Sequence, residues 1–109
     1  MEISSDVWVA ALVRRVELAG GFATIARKGD ARSGAVLVKT FDPKSREAKL
    51  YGQAFAHDGE TVWMRPLDSV AEADVDAYTL RAARIDPDLW VVEIEAPDGA
   101  RFLTERVEG

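Results

Sequence analysis

At 109 residues, 48% hydrophobic and 30% charged, the chain has enough apolar material for a core, which opposes disorder, and enough charge for solubility, so a single domain over residues 1–109 is expected. It has no cysteine, which excludes disulfides and thiolate metal ligands, and its one histidine leaves carboxylates as the other ligands of any zinc site. The net charge of −5 is uneven: Arg14 to Lys49 carries nine basic and four acidic residues, and Leu50 to Gly109 carries five basic and thirteen acidic ones. Such asymmetry fits either a polar partner surface or two halves of one domain attracting each other.

Met1 to Ser5 lacks the basic region of a leader, and the apolar run Val7–Val13 is too short to span a bilayer, so a cytoplasmic protein without a membrane segment is expected. The first helix is predicted over Asp6–Ala19, capped by Ser4 or Ser5. Val9, Leu12, Val13 and Val16 share one face at helical spacing, widened by Trp8 and Ala11, and Gly20-Gly21 ends the helix. Strand signals follow at Phe22–Arg27, Ala35–Phe41, Ala48–Ala56 and Thr61–Arg65. The short connections between them, Lys28–Gly34, Asp42–Ser45 and His57–Glu60, predict an antiparallel meander.

Ser69-Val70-Ala71-Glu72 has the capping-box pattern, which predicts a second helix with Ser69 as cap and Glu72 reaching back to it. Ala71, Val75, Tyr78, Ala82 and Ile85 recur at spacings of four and three. Pro87 closes the helix and moves Asp86 out of helical backbone. A closing hairpin is predicted: Leu89–Glu95, a turn over Ala96–Gly99, and Arg101–Glu105, with Arg106–Gly109 frayed. In the first of these strands Trp90, Val92 and Ile94 face one way, and Leu89, Val91, Glu93 and Glu95 the other. The order helix, four strands, helix, two strands is an α+β domain with a mostly antiparallel sheet and helices packed on one face.

Three blocks carry a resemblance: Val7–Arg15, Gly20–Lys39 (read as Gly20–Ala23, Arg27–Asp30 and Gly34–Lys39), and Asp86–Glu95. Through them the chain resembles a family of short, mostly alphaproteobacterial proteins catalogued as a domain of unknown function. The resemblance implies a compact domain in a bacterial cytoplasm and brings no activity, cofactor or catalytic residue with it.

The candidate sites are few. Arg27-Lys28-Gly29-Asp30 through Gly34 is a basic, glycine-containing loop that could meet a phosphate, but it lacks the P-loop spacing and also reads as a hairpin turn. His57, Asp58 and Glu60 read as a hairpin tip more readily than as a metal site. Glu93 and Glu95 lie about 6.5–7 Å apart along one strand face, a spacing used by paired catalytic carboxylates. Asp86 and Asp88 could join them in an acidic, cation-binding cluster. The plainer reading is a solvated face partnered by Arg101 or Arg106. Trp8, Trp63 and Trp90, with Tyr51 and Tyr78, could line a pocket or an interface, but Trp8 and Trp90 sit on apolar faces and read as core, and Trp63 is the aromatic expected to be exposed. No serine–histidine–aspartate arrangement can be built on His57 alone.

These features favour a small interaction or ligand-binding module without catalytic activity, with no cofactor and no metal, using Arg27, Lys28, Lys39, Trp63 and Arg65 toward an unknown protein or small-molecule partner. A carboxylate-based enzyme is the alternative. A nucleic-acid-associated protein is weaker, because the overall charge is acidic and no motif is present. Uncovered strand edges and an exposed Trp63 would favour a homodimer.

Overall fold

The computed structural model describes residues 3–108; the N-terminal reading at Met1 and Glu2 and the last frayed position, Gly109, lie outside them. The elements are α1 (Ser5–Leu18), β1 (Phe22–Arg27), β2 (Val36–Phe41), β3 (Ala48–Phe55), β4 (Thr61–Met64), α2 (Glu72–Ile85), β5 (Trp90–Glu95), a 3-10 turn (Gly99–Phe102) and β6 (Arg106–Glu108). The fold is α+β, with one six-stranded sheet in the order β1-β5-β2-β3-β4-β6.

The sheet is mixed, which corrects the mostly antiparallel expectation. Pairs β1–β5, β2–β3 and β3–β4 are antiparallel, whereas β2–β5 and β4–β6 are parallel. β5 inserts between β1 and β2, so Lys28–Gly34 is no hairpin turn but a crossing over the start of β5. The last hairpin is also absent. After β5 the chain tightens into the 3-10 turn, and Arg106–Glu108, expected to fray, pairs with Val62–Met64.

The helices cover opposite faces, which corrects the one-face expectation. Trp8, Val9, Leu12 and Val16 of α1 pack with Val36, Val38, Trp63, Trp90, Val92 and Ile94. Val75 of α2, with Tyr78, Ala82 and Ala83, packs against Leu37, Leu50, Leu89 and Val91. The reason lies in β2 and β5. Both alternate apolar residues onto both sides, so one helix layer would leave half of each strand in water.

Local signals give way to tertiary partners at both helix starts. Ser4 is the N-cap of α1 by position, but its hydroxyl donates to Asp6 Oδ1 at 2.6 Å. Ser5 is buried and its hydroxyl donates to the Gly34 carbonyl at 2.7 Å, tying α1 to the β1–β2 crossing. At α2 the cap position belongs to Ala71, not Ser69, and makes no side-chain cap. Ser69 accepts from the Ala71 amide and donates to Asp74 instead. The capping box fails because Glu72 is drawn to Lys39.

Candidate functional site

Lys39 stands on the α2 face of β2, in a strand otherwise built of apolar residues and threonine. Only 4% of its side chain is exposed, a burial an ammonium tolerates only when paired. Its Nζ lies 2.8 Å from Glu72 Oε2, 2.7 Å from Asp76 Oδ1 and 3.6 Å from Glu93 Oε1. Glu72 and Asp76 are one helical turn apart on α2, so both reach the same point. Glu93 arrives from β5, whose register sets it beside Lys39. Burial pushes the Lys39 amine down, but its bonds to Asp76 and Glu72 and the field of Glu93 more than offset this, holding it above its usual 10.5. An amine held protonated in this way is a fixed cation, not a nucleophile.

The three carboxylates are each about half exposed, so they present oxygen atoms outward while Lys39 anchors them from beneath. They line an open groove of about 560 Å³ between α2 and the sheet, with Arg27, Thr79 and the apolar Leu80, Ala83 and Val91. A smaller recess of about 200 Å³ continues it past Glu72 and Glu93 to Glu95, Phe22 and Phe41. Four carboxylates face two cations along this surface, which leaves it negative. Among the described residues no group of three or more histidine, aspartate or glutamate side chains is arranged to hold a metal ion.

The fold brings Arg27, Lys39, Glu93 and Glu95 to one surface and leaves the remaining candidates elsewhere. Lys39 is buried and paired with acids, so it is not an exposed contact. Trp63 has no exposed surface at all; it packs on Trp8 with ring centroids 5.2 Å apart, which corrects the expectation of an exposed aromatic. Arg65 lies near Tyr51 on the α1 side and donates to the Asp68 carbonyl at 3.0 Å. Lys28 is exposed in the crossing.

Asp86 and Asp88 stand before β5, at the opposite end from Glu95, so no four-carboxylate cluster forms. Asp86 accepts from the Asp88 amide and borders a separate, apolar hollow of about 350 Å³ beside Leu37, Tyr78 and Ile85. His57, Asp58 and Glu60 form an exposed turn in which the Glu60 amide donates to Asp58.

The glycine-containing crossing offers no amide nest for a phosphate. The Asp30 amide donates to the Asp88 carbonyl, the Gly34 amide to the Asp30 carbonyl, and the Arg32 and Ser33 amides to the Asp30 carboxylate. The Ser33 amide above all holds the Asp30 carboxyl below its usual range. Gly29 and Gly34 are there for close approach: a Cβ on either would press into the Asp88 carbonyl and the Trp90 ring.

Glu72, Asp76 and Thr79 escape a sequence reading focused on loops and on β5. The available signal was a lysine within an apolar strand, together with acids one helical turn apart. Neither names the other until the register is known.

Residues 3–104 match the model of a family described as "Protein of unknown function (DUF1491)". The crystal structure of a DUF1491 family protein from Caulobacter crescentus CB15 is 62% identical, covering 97% of this chain and 99% of that one, with a TM-score of 0.93. The NMR structure of a DUF1491 family protein from the same organism is 61% identical over 100% and 99% of the two chains, with a TM-score of 0.91. The solution structure of a protein from A. tumefaciens is 33% identical over 100% and 98%, with a TM-score of 0.82. No curated protein matches the chain.

Proposed function

Because the chain belongs to the DUF1491 family, whose members are described only as proteins of unknown function, we infer its role from the groove: a small binding module that receives a cationic, partly apolar segment of a protein partner. The observation that carries this reading is the anchoring of Glu72, Asp76 and Glu93 by the buried ammonium of Lys39. Carboxylates fixed before a partner arrives lose little freedom on binding, and their surplus negative charge selects a basic partner and speeds its approach. Exposed Leu80 flanks the acids and supplies apolar contact for such a segment. The same negative surface opposes nucleic acid at this face.

We also read the module as cytoplasmic; the bacterial setting rests on its relatives from Caulobacter crescentus and A. tumefaciens. It is read as a dimer through the open edge of β1, where Phe22 and Ile25 stand uncovered. Among the described residues no helix is long and apolar enough to cross a membrane.

The test is an amide-resolved NMR titration with a lysine–leucine amphipathic peptide. Saturable shifts confined to residues 72–83, 22–27 and 91–95, lost in the Glu72→Gln/Asp76→Asn double variant, are expected. Shifts scattered over the surface, or unchanged in that variant, would overturn the reading.

A further inference from the structure

The groove between α2 and the sheet is charged at both ends, and its basic end comes from an irregularity in β1. Thr24 pairs with Glu93 and Ile25 with Val92, but Arg27, not Ala26, pairs with Val91. Ala26 is therefore the extra residue of a β-bulge. Strict alternation would put Arg27 on the α1 face; the bulge turns it onto the α2 face, beside Val91 and into the groove wall. Glu93 lies two residues beyond Val91 on the same face, about 6.5–7 Å along β5 by strand rise.

Arg27 is a spare cation in this wall. It joins no salt bridge among the described residues, its Nη2 donates to the Pro87 carbonyl at 3.1 Å, and its Nε is buried without a partner. A guanidinium has five donors in a fork that matches a carboxylate. The acidic end is incomplete as well. Lys39 takes Glu72 Oε2, Asp76 Oδ1 and Glu93 Oε1, which leaves Glu72 Oε1, Asp76 Oδ2 and Glu93 Oε2 without a donor among the described residues. An ammonium has three donors to offer. Leu80, Ala83 and Val91 make the rest of the wall mainly apolar.

We propose that the partner's segment ends in this groove with a C-terminal lysine. Its side-chain ammonium meets the three acids, its four-carbon stem lies along Leu80, Ala83 and Val91, and its terminal carboxylate meets Arg27. The proposal rests on the reading of the groove as a site for a cationic segment, and it adds the chain end. An internal lysine would satisfy the acids and leave Arg27 as it is, whereas a terminal one satisfies both ends. Selection of the chain end falls to Arg27, because Lys39, the other cation lining the groove, is committed to its acids.

Two peptides of the sequence acetyl-leucyl-leucyl-lysine, one ending in a free carboxylate and one in an amide, are titrated into the full chain and followed by amide NMR. The free acid is expected to bind about fivefold more tightly, the scale of one partly exposed charge-assisted contact. In Arg27→Gln the two peptides should bind alike, and Arg27→Lys, which keeps the charge but loses the fork, should keep only part of the preference. The preference is a ratio read within each protein, so a loosened fold in a variant does not imitate it. Equal binding of the two peptides by the natural protein overturns the chain end and leaves the cationic-segment reading standing; binding of neither overturns both. A preference undiminished in Arg27→Gln removes Arg27 from the role, and Nα-acetyl-lysine binding as tightly as the peptide acid replaces the partner chain with a small molecule; either result overturns the proposal.

Discussion

The indole of Trp63, fully buried between the sheet and α1, donates a 3.0 Å hydrogen bond to Glu105 Oε1. Its neighbour Trp8 donates to Glu105 Oε2 at 3.3 Å, and the Thr104 hydroxyl to the same oxygen at 3.1 Å. One carboxylate from the loop before β6 thus satisfies two core indoles that have no other acceptor among the described residues. It also fixes where the chain returns to the sheet, since β6 begins at the next residue.

Glu105→Ala should therefore cost about 1–3 kcal/mol, the penalty of leaving a buried N–H without a partner. Glu105→Gln keeps an acceptor for Trp63 and should cost less. Urea unfolding followed by tryptophan fluorescence measures both, and equal stability of all three proteins would refute the role given to Glu105.

The same contact predicts a pH dependence. Burial pushes the Glu105 carboxyl up, but the Trp63 indole, its own amide, Thr104 and Trp8 prevail and hold it below its usual 4.5. A carboxyl lowered in the folded state contributes stability above pH 4.5 and loses it as the pH falls through the folded value. The stability gap between the natural protein and Glu105→Gln should be widest near neutrality and should close below pH 4.5 in an acid-unfolding series.

Lys39 should act at the other end of the scale. Its folded pKa is raised above 10.5, so its contribution is complete below that pH and is lost as the pH rises through the folded value. Lys39→Met leaves three carboxylates facing one another without their cation. Because each is about half exposed and can be rehydrated, the loss should be about 2 kcal/mol, not the larger cost of a fully buried broken pair. The variant should also lose the drop in stability that the natural protein shows as the pH rises above 10.5, read by chemical denaturation at each pH.

Glycine positions divide by mechanism. Gly29→Ala and Gly34→Ala place a Cβ against the Asp88 carbonyl and within 2.6 and 2.8 Å of Trp90 Cδ1, so each should cost at least 1–3 kcal/mol and disturb Trp90 fluorescence. Gly59, at φ +86° with nothing within 4 Å, should cost only the left-handed penalty of about 1–2 kcal/mol when changed to alanine, with the tryptophan signal unchanged.

Phe22→Asp tests the open edge of β1. The residue is 70% exposed at the end of the strand, so the monomer should keep its fold. Light scattering should show the natural protein as a dimer and the variant as a monomer; a natural protein monomeric at every concentration would remove the dimer from the proposed function.

By itself the sequence determined the two helices and the first five strands. Helix α1 was legible from its apolar spacing and closing glycines, α2 from its periodicity and Pro87, and β1 to β5 to within a residue at each end. The inward trio Trp90, Val92 and Ile94 was legible too, because side-chain period and turn chemistry are local properties. Tertiary structure alone decided the pairing of β5 between β1 and β2, the splitting of the helices onto opposite faces, and the replacement of the last hairpin by the 3-10 turn and β6. It also decided the site. Lys39, the Glu72–Asp76 pair and Glu93 are far apart in the chain, and Trp63 meets Glu105 across 42 residues. Such contacts follow from which surfaces must be buried together and which buried charges and N–H groups must find partners. That is a requirement on the whole fold, and no window of the sequence contains it.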